Sequence, residues 1–215
     1  MHSMKSNYTI CFIWLILLLC GAVTSLHSQE VAVTYGSAFE GSDGTIFSSS
    51  EGTGFDSNNK GLISLGYFSS GFDVESETRE GNLAGVLANY NIIHSSSFAA
   101  AAAPGFLATG SNFTEEGVGE NAYLFLFAGI EDVAEISSAT EYGLFTDSGF
   151  GTIPEGGNPF PTEFDVSSLT YDTVLLGREI QGGGFGNANA YATEVLRNSA
   201  PVGITLQGDT ILEKE

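Results

Sequence analysis

Apolar positions along this chain fall in short runs separated by clusters of Gly, Ser, Asn and Asp. Runs of that kind predict strands and turns rather than long helices. Residues 31–39 read as a first strand. Residues 45–48 read as its partner, across the turn-rich tetrad Gly41-Ser42-Asp43-Gly44. Residues 62–68 (LISLGYF) form a firmer strand, entered through a turn at residues 56–61. Residues 123–128 (YLFLFA) are continuously apolar, which suits a strand buried on both faces. Residues 142–146 follow after a loop of suitable length to pair with it, and residues 173–177 (TVLLG) are a further buried strand. In residues 190–196 the period of two places Tyr191, Thr193 and Val195 on one face and Ala192, Glu194 and Leu196 on the other.

One segment departs from that pattern. Leu83, Val86, Leu87 and Tyr90 lie at i, i+3, i+4 and i+7, a single helical stripe, with Asn82 placed to cap it. Gly85 inside the stripe counts against a helix. The expected helix, near residues 82–92, would cover a sheet edge or the end of a sandwich. Residues 99–103, all Ala, precede Pro104 and read either as a helical turn ended by the proline or as a surface loop. Residues 152–161 hold three prolines and two adjacent glycines and read as a long loop. No repeat is visible at solenoid periods. The fold class predicted is mainly β: a β-sandwich, jelly-roll-like, with one short helix near residues 82–92. A transmembrane barrel is disfavoured because YLFLFA does not alternate.

The N-terminus reads as a processing signal. Lys5 precedes the apolar run ICFIWLILLL at residues 10–19, and small or polar residues follow at 21–25. The run has the length of a signal core and is short for a membrane span. Cleavage after Ser25 or Ser28 fits the small residues there, and the later site would start the mature chain at Gln29. An uncleaved anchor helix is the alternative. A lipid anchor on Cys20 is disfavoured by the bulky Leu19 before it. The organisation expected is a signal peptide at 1–28, one β-rich domain at 29–200 and a loosely ordered tail at 201–215. Export holds under each of these readings, with the protein extracellular, periplasmic or at the cell surface. No membrane span is expected in the mature chain.

Composition then narrows the chemistry. Cys11, Cys20 and Trp14 all lie in the leader. The mature domain therefore has no disulfide, no thiolate and no cysteine-ligated metal. The charge is strongly acidic: 26 Asp and Glu against 6 Lys and Arg, a formal net charge of −20. A surface of that sign repels phosphate backbones, so nucleic acid is excluded as a partner. Anionic membrane surfaces are disfavoured for the same reason. Such acidity serves solubility. It also suits a calcium-requiring or salt-adapted secreted protein.

Candidate sites were weighed against plainer readings. His94 is the one histidine after residue 28. A triad based on it would draw on Ser95, Ser96 or Ser97, which are sequence neighbours rather than residues gathered by the fold. There is no G-x-S-x-G elbow and no H-E-x-x-H. Ser57-Asn58-Asn59-Lys60 matches S-x-x-K without its partner motifs and falls in a turn. Asp56, Asn58 and Gly61 match calcium-loop positions 1, 3 and 6, but Lys60 and Tyr67 stand where oxygen ligands belong. No complete calcium motif exists, so a hairpin turn is the better reading, and no cofactor is assigned. The adjacent acids Glu115-Glu116 and Glu131-Asp132 are the paired carboxylates, though neighbours along a strand point apart. Residues 182–186 (GGGFG) lack the phosphate-loop pattern and read as a flexible loop. Asn112-Phe113-Thr114 is a formal glycosylation sequon. No catalytic, cofactor or metal residue is assigned.

Several segments together resemble a loose group of uncharacterised exported bacterial proteins, many of which carry a PEP-CTERM sorting tail. They are Gly61-Leu62-Ile63-Ser64-Leu65-Gly66-Tyr67-Phe68 with Gly71-Phe72-Asp73, residues 121–127 (NAYLFLF), residues 139–145 (ATEYGLF) and residues 173–178 (TVLLGR). The likeness spans roughly residues 31–180. Residues 208–215 (GDTILEKE) lack the Val-Pro-Glu-Pro-type motif, hydrophobic helix and basic cluster of that tail. Surface sorting by that route is therefore not expected. The resemblance supplies no activity and no catalytic residues.

Two functions follow as expectations. The first is a secreted or envelope-associated non-enzymatic protein that contacts matrix, polysaccharide or another envelope protein. Loop aromatics Phe150, Phe160 and Phe185 read either as rings that stack on sugar or, equally, as part of the core. The second is an extracellular glycan hydrolase working through two converging carboxylates, one with a raised pKa.

Overall fold

A computed structural model describes residues 30–37, 44–114, 117–156, 161–165, 173–195, 205–206 and 209–210. The leader, the turn at residues 41–43, Glu115-Glu116, Phe160, Leu196 and most of the tail lie outside them.

In chain order the elements are β1 (Glu30–Gly36), β2 (Ile46–Ser48), β3 (Gly61–Phe68), α1 (Val74–Arg79), α2 (Leu83–Asn89), β4 (Tyr90–Ser97), β5 (Ala108–Thr114) and β6 (Tyr123–Ala128). They continue with β7 (Glu141–Phe145), β8 (Thr162–Asp165), β9 (Val174–Leu176), β10 (Arg178–Ile180), β11 (Ala190–Ala192), β12 (Thr205–Leu206) and β13 (Asp209–Thr210). Five strands make the central antiparallel sheet, in the order β4-β3-β6-β7-β9. Two smaller sheets, β5-β1-β8 and β10-β11-β2, make the facing layer of a β-sandwich.

The central sheet explains why YLFLFA is apolar throughout. Alternate residues of β6 belong to two different cores. Leu124, Leu126 and Ala128 pack with Ile63, Leu65 and Phe145 against Val33, Tyr35, Phe47, Phe164 and Tyr191 of the facing layer. Phe125 and Phe127 point the other way, into a cluster with Leu62, Phe68, Tyr142 and Leu144. Two short helices roof that second cluster. Val74 of α1 and Leu83, Val86 and Leu87 of α2 are buried in it. The helix expected at a sheet edge thus lies over a face of the sheet. It also stops at Asn89, because Tyr90 turns extended and begins β4.

Gly85, which argued against that helix, has a structural reason. The Asn82 side chain accepts from the Gly85 N–H (3.0 Å) and occupies the space a Cβ would need. The cap is made at the expense of a better helix former. The α1 helix, not foreseen, is capped by Asp73, with Glu75 and Glu77 in its first turn and Arg79 in its last, the order its dipole favours.

Pairing corrects one more expectation. β2 does not pair with β1; it runs parallel to β11, with Phe47 opposite Tyr191. β1 pairs instead with β5 and β8. The 6–7 pairing stands as expected, with Phe125 opposite Leu144. Residues 98–100 form a single 3-10 turn before Pro104. In the tail, β12 and β13 form a two-residue antiparallel pair.

Candidate functional site

Two tight turns, anchored by main-chain bonds to Gly44 and to Phe47 and Phe55, bring two aromatic rings together on the surface. The first turn carries Phe106. Its N–H donates to the Ala103 carbonyl (2.9 Å), and the intervening Gly105 donates to the Phe55 carbonyl (2.6 Å) and accepts from the Phe47 N–H (2.9 Å). The second turn is the glycine-rich stretch. Gly183 N–H donates to Ile180 O (3.2 Å), Gly184 N–H to Ala188 O (2.8 Å) and Phe185 N–H to Gly44 O (2.9 Å). Asn187 holds φ 72°, the one non-glycine residue in the left-handed region among the described residues. The loop read as flexible is therefore a hydrogen-bonded turn with a 3-10 segment at Phe185–Asn187.

Phe185 is 45 % exposed, and its ring meets Phe106 edge-on, with centroids 5.8 Å apart and planes at 77°, a T-shaped arrangement that aromatic pairs favour. Within the same glycine-rich segment the Asn189 amide donates to the Glu179 carboxylate, and its oxygen accepts from Gly182 N–H at 3.4 Å. A half-exposed ring carried on hydrogen-bonded turns can stack on one face of a sugar. The turns bear the ordering cost before any ligand arrives.

The other loop aromatics behave differently. Phe150 is 5 % exposed and packs edge-on against Phe164 in the sandwich core, so it is not a sugar platform. Phe160 lies outside the described residues. Phe106 was missed because nothing near it in sequence marks it; only the fold places it beside Phe185.

The remaining candidates are structural. Asp56 Oδ1 accepts from the N–H groups of Asn58 (2.7 Å) and Asn59 (2.8 Å), which closes the turn before β3 and holds its carboxyl below the usual range; the turn is not that of a hairpin, since β2 and β3 belong to different sheets. Glu131 pairs with Lys60 (3.3 Å), and Asp132 caps the following 3-10 turn through Ala134 N–H (2.9 Å). His94 sits within β4, and its Nδ1 lies 2.7 Å from the Tyr35 hydroxyl. Burial lowers the His94 pKa. Among the described residues no group of three His, Cys, Asp or Glu side chains is placed to hold a metal ion. None of the described helices is long and apolar enough to cross a membrane.

Glu141 is the most heavily bonded carboxylate described. It accepts from Ser50 N–H (2.7 Å), Ser50 Oγ (2.6 Å) and Thr193 Oγ1 (2.5 Å), and Arg178 donates to the Ser50 carbonyl beside it. Burial opposes its ionisation, but the Ser50 and Thr193 bonds, with the Arg178 charge, hold its pKa below the usual value. An acceptor so fully engaged ties strands together and is a poor proton acceptor for catalysis.

Comparison with protein-family models, with curated proteins and with solved structures found no match to this chain.

Proposed function

We propose that this chain is an exported, non-enzymatic protein that contacts extracellular polysaccharide through the Phe185–Phe106 face. The observation that carries this reading is the exposed Phe185 ring, paired edge-on with Phe106 and carried on hydrogen-bonded turns. The leader at residues 1–28 and the acidic composition support an extracellular setting. The acidity also directs the choice of ligand, since uronate or sulfate polymers would be repelled. The hydrolase reading is weaker. Of its paired acids, Glu131 is engaged by Lys60 and Asp132 by a helical cap.

The test is retention of the purified protein on insoluble polysaccharides, with calcium and with chelator. Neutral glycans should retain it without releasing soluble sugar, and Phe185→Ala should abolish most of that retention. Equal retention of the variant would remove the Phe185 face from the account. Sugar release would revive the hydrolase.

A further inference from the structure

A second aromatic surface lies on the other side of the central sheet. Phe72, in the turn before α1, stacks on Phe68 with centroids 5.4 Å apart and planes 20° from parallel. Tyr123, the first residue of β6, meets the same Phe68 edge-on at 4.9 Å and 82°. Phe68 is buried beneath them, while Phe72 and Tyr123 are each partly exposed. The two rings are fixed from below by Tyr90, whose ring packs on Phe68 at 5.3 Å.

Polar groups converge on this pair from two separate segments. Asn121 hydrogen-bonds the Tyr123 hydroxyl, and the carboxylates of Glu75 and Glu120 lie close enough to act on it electrostatically. Burial first, and those carboxylates second, hold Tyr123 above the ordinary phenol range, so it remains a donor. Among the described residues neither carboxylate has a hydrogen bond or ion pair of its own. The segment bearing Glu120 is itself fixed, since Glu120 N–H donates to Gly117 O (2.9 Å) and its carbonyl accepts from Ile153 N–H (2.8 Å). The surface therefore combines rings to stack on, a phenol and an amide, and acceptors without partners. These are the groups that recognise vicinal sugar hydroxyls. The same carboxylates, on a chain of net charge −20, repel anionic polymers.

We propose that Phe72 and Tyr123, with Asn121, Glu75 and Glu120, form a second binding surface for an uncharged polysaccharide, and that the protein bridges two glycan chains. The proposal rests on the polysaccharide reading above and adds valency to it. The geometry suits bridging because the central sheet separates the two surfaces. Phe72 and Tyr123 pack with the helix-covered core, whereas the turn under Phe106 bonds to Phe47 and Phe55 of the sandwich core.

Agglutination of beads coated with a neutral polysaccharide reads valency separately from binding. The wild-type protein, shown to be monomeric by size-exclusion chromatography, should both bind and agglutinate such beads. Phe72→Ala should still bind through the Phe185 face, with the agglutination titre reduced by about tenfold or more as bivalent attachment is lost. Tyr123→Phe keeps the ring and its packing and removes only the hydroxyl. It should weaken agglutination in the same direction while melting like the wild type. Binding without agglutination by the wild type would overturn bridging and leave the polysaccharide reading standing. Agglutination that survives both variants would overturn the second surface. Absence of binding altogether would sink both readings.

Discussion

Glu141→Ala tests how the two layers of the sandwich are held together. Glu141 begins β7 of the central sheet, yet its three bonds reach Ser50, just after β2, and Thr193, just after β11. Next to it, Tyr142 and Glu194 exchange backbone hydrogen bonds of 3.0 and 2.9 Å. The carboxylate thus clamps the facing layer onto an edge of the central one. Hydrogen bonds to a charged group contribute about 1.5–3 kcal/mol each when well formed. This carboxylate is in reach of water, which screens it, and the three bonds share one acceptor group, so they do not add fully. Their joint loss is expected to cost about 2–4 kcal/mol. In a domain of this size that lowers the melting temperature by about 5–15 °C. Urea denaturation at pH 7 measures it, and Thr193→Val, which removes one bond at nearly constant shape, should show about a third of the effect.

The pH dependence gives the sharper check. The folded pKa of Glu141 is depressed below the ordinary glutamate value of 4.5. Its contribution is therefore complete above the unfolded pKa and is lost as pH falls through the folded one. The gap between wild type and Glu141→Ala should narrow steadily below about pH 4. A gap under about 0.5 kcal/mol at pH 7, or one that stays constant into acid, would refute the clamp.

Two further outcomes follow from buried contacts. The folded pKa of His94 is also lowered, by burial, so its neutral form is favoured and stability declines as pH falls below the ordinary histidine value of 6.5. Protonation would make Nδ1 a donor to the Tyr35 hydroxyl, 2.7 Å away, leaving the phenol proton to seek another acceptor. His94→Gln should flatten the stability slope between about pH 6.5 and 5, and an unchanged slope would assign it elsewhere. Gly66→Ala should cost about 1–3 kcal/mol by thermal melting, because a Cβ there would run into the Asn91 carbonyl and the Tyr90 ring at 2.7 Å.

What the sequence made legible follows from how locally each feature is determined. β6 was readable to its last residue because burial on both faces leaves no polar position to blur its ends. α2 was readable from one stripe, but the same stripe drew Tyr90 into the helix. Tyr90 is buried in the same cluster from the start of β4, so burial alone could not separate the two states. α1 carries a single buried residue, Val74, and no period can be seen in one position. The β2 partner was misassigned because the neighbour in sequence, β1, is not the neighbour in space; β11 is some 140 residues on. The candidate site suffered most. Phe150 and Phe185 occupy similar glycine-rich surroundings, and only packing shows that one ring is core and the other surface.

The arrangement of layers in turn constrains where recognition can occur. Many sandwich proteins offer an open sheet face to their ligand, but the central strand β6 has neither face open. Leu124 and Leu126 fill one side and Phe125 and Phe127 the other, and all four are fully buried. On the proposed reading, ligand contact falls to the turns at the margins of the layers. A turn can hold a ring in place only if its backbone is itself fixed, and that is what Gly44, Phe47 and Phe55 do for Phe185 and Phe106 through main-chain bonds. The same logic applies at Phe72, whose N–H donates to the Ser69 carbonyl (3.0 Å) and whose ring stacks on the buried Phe68. On the proposed polysaccharide reading the acidic surface would act as a filter: it would contribute nothing to the stacking of an uncharged sugar and would disfavour polyanions.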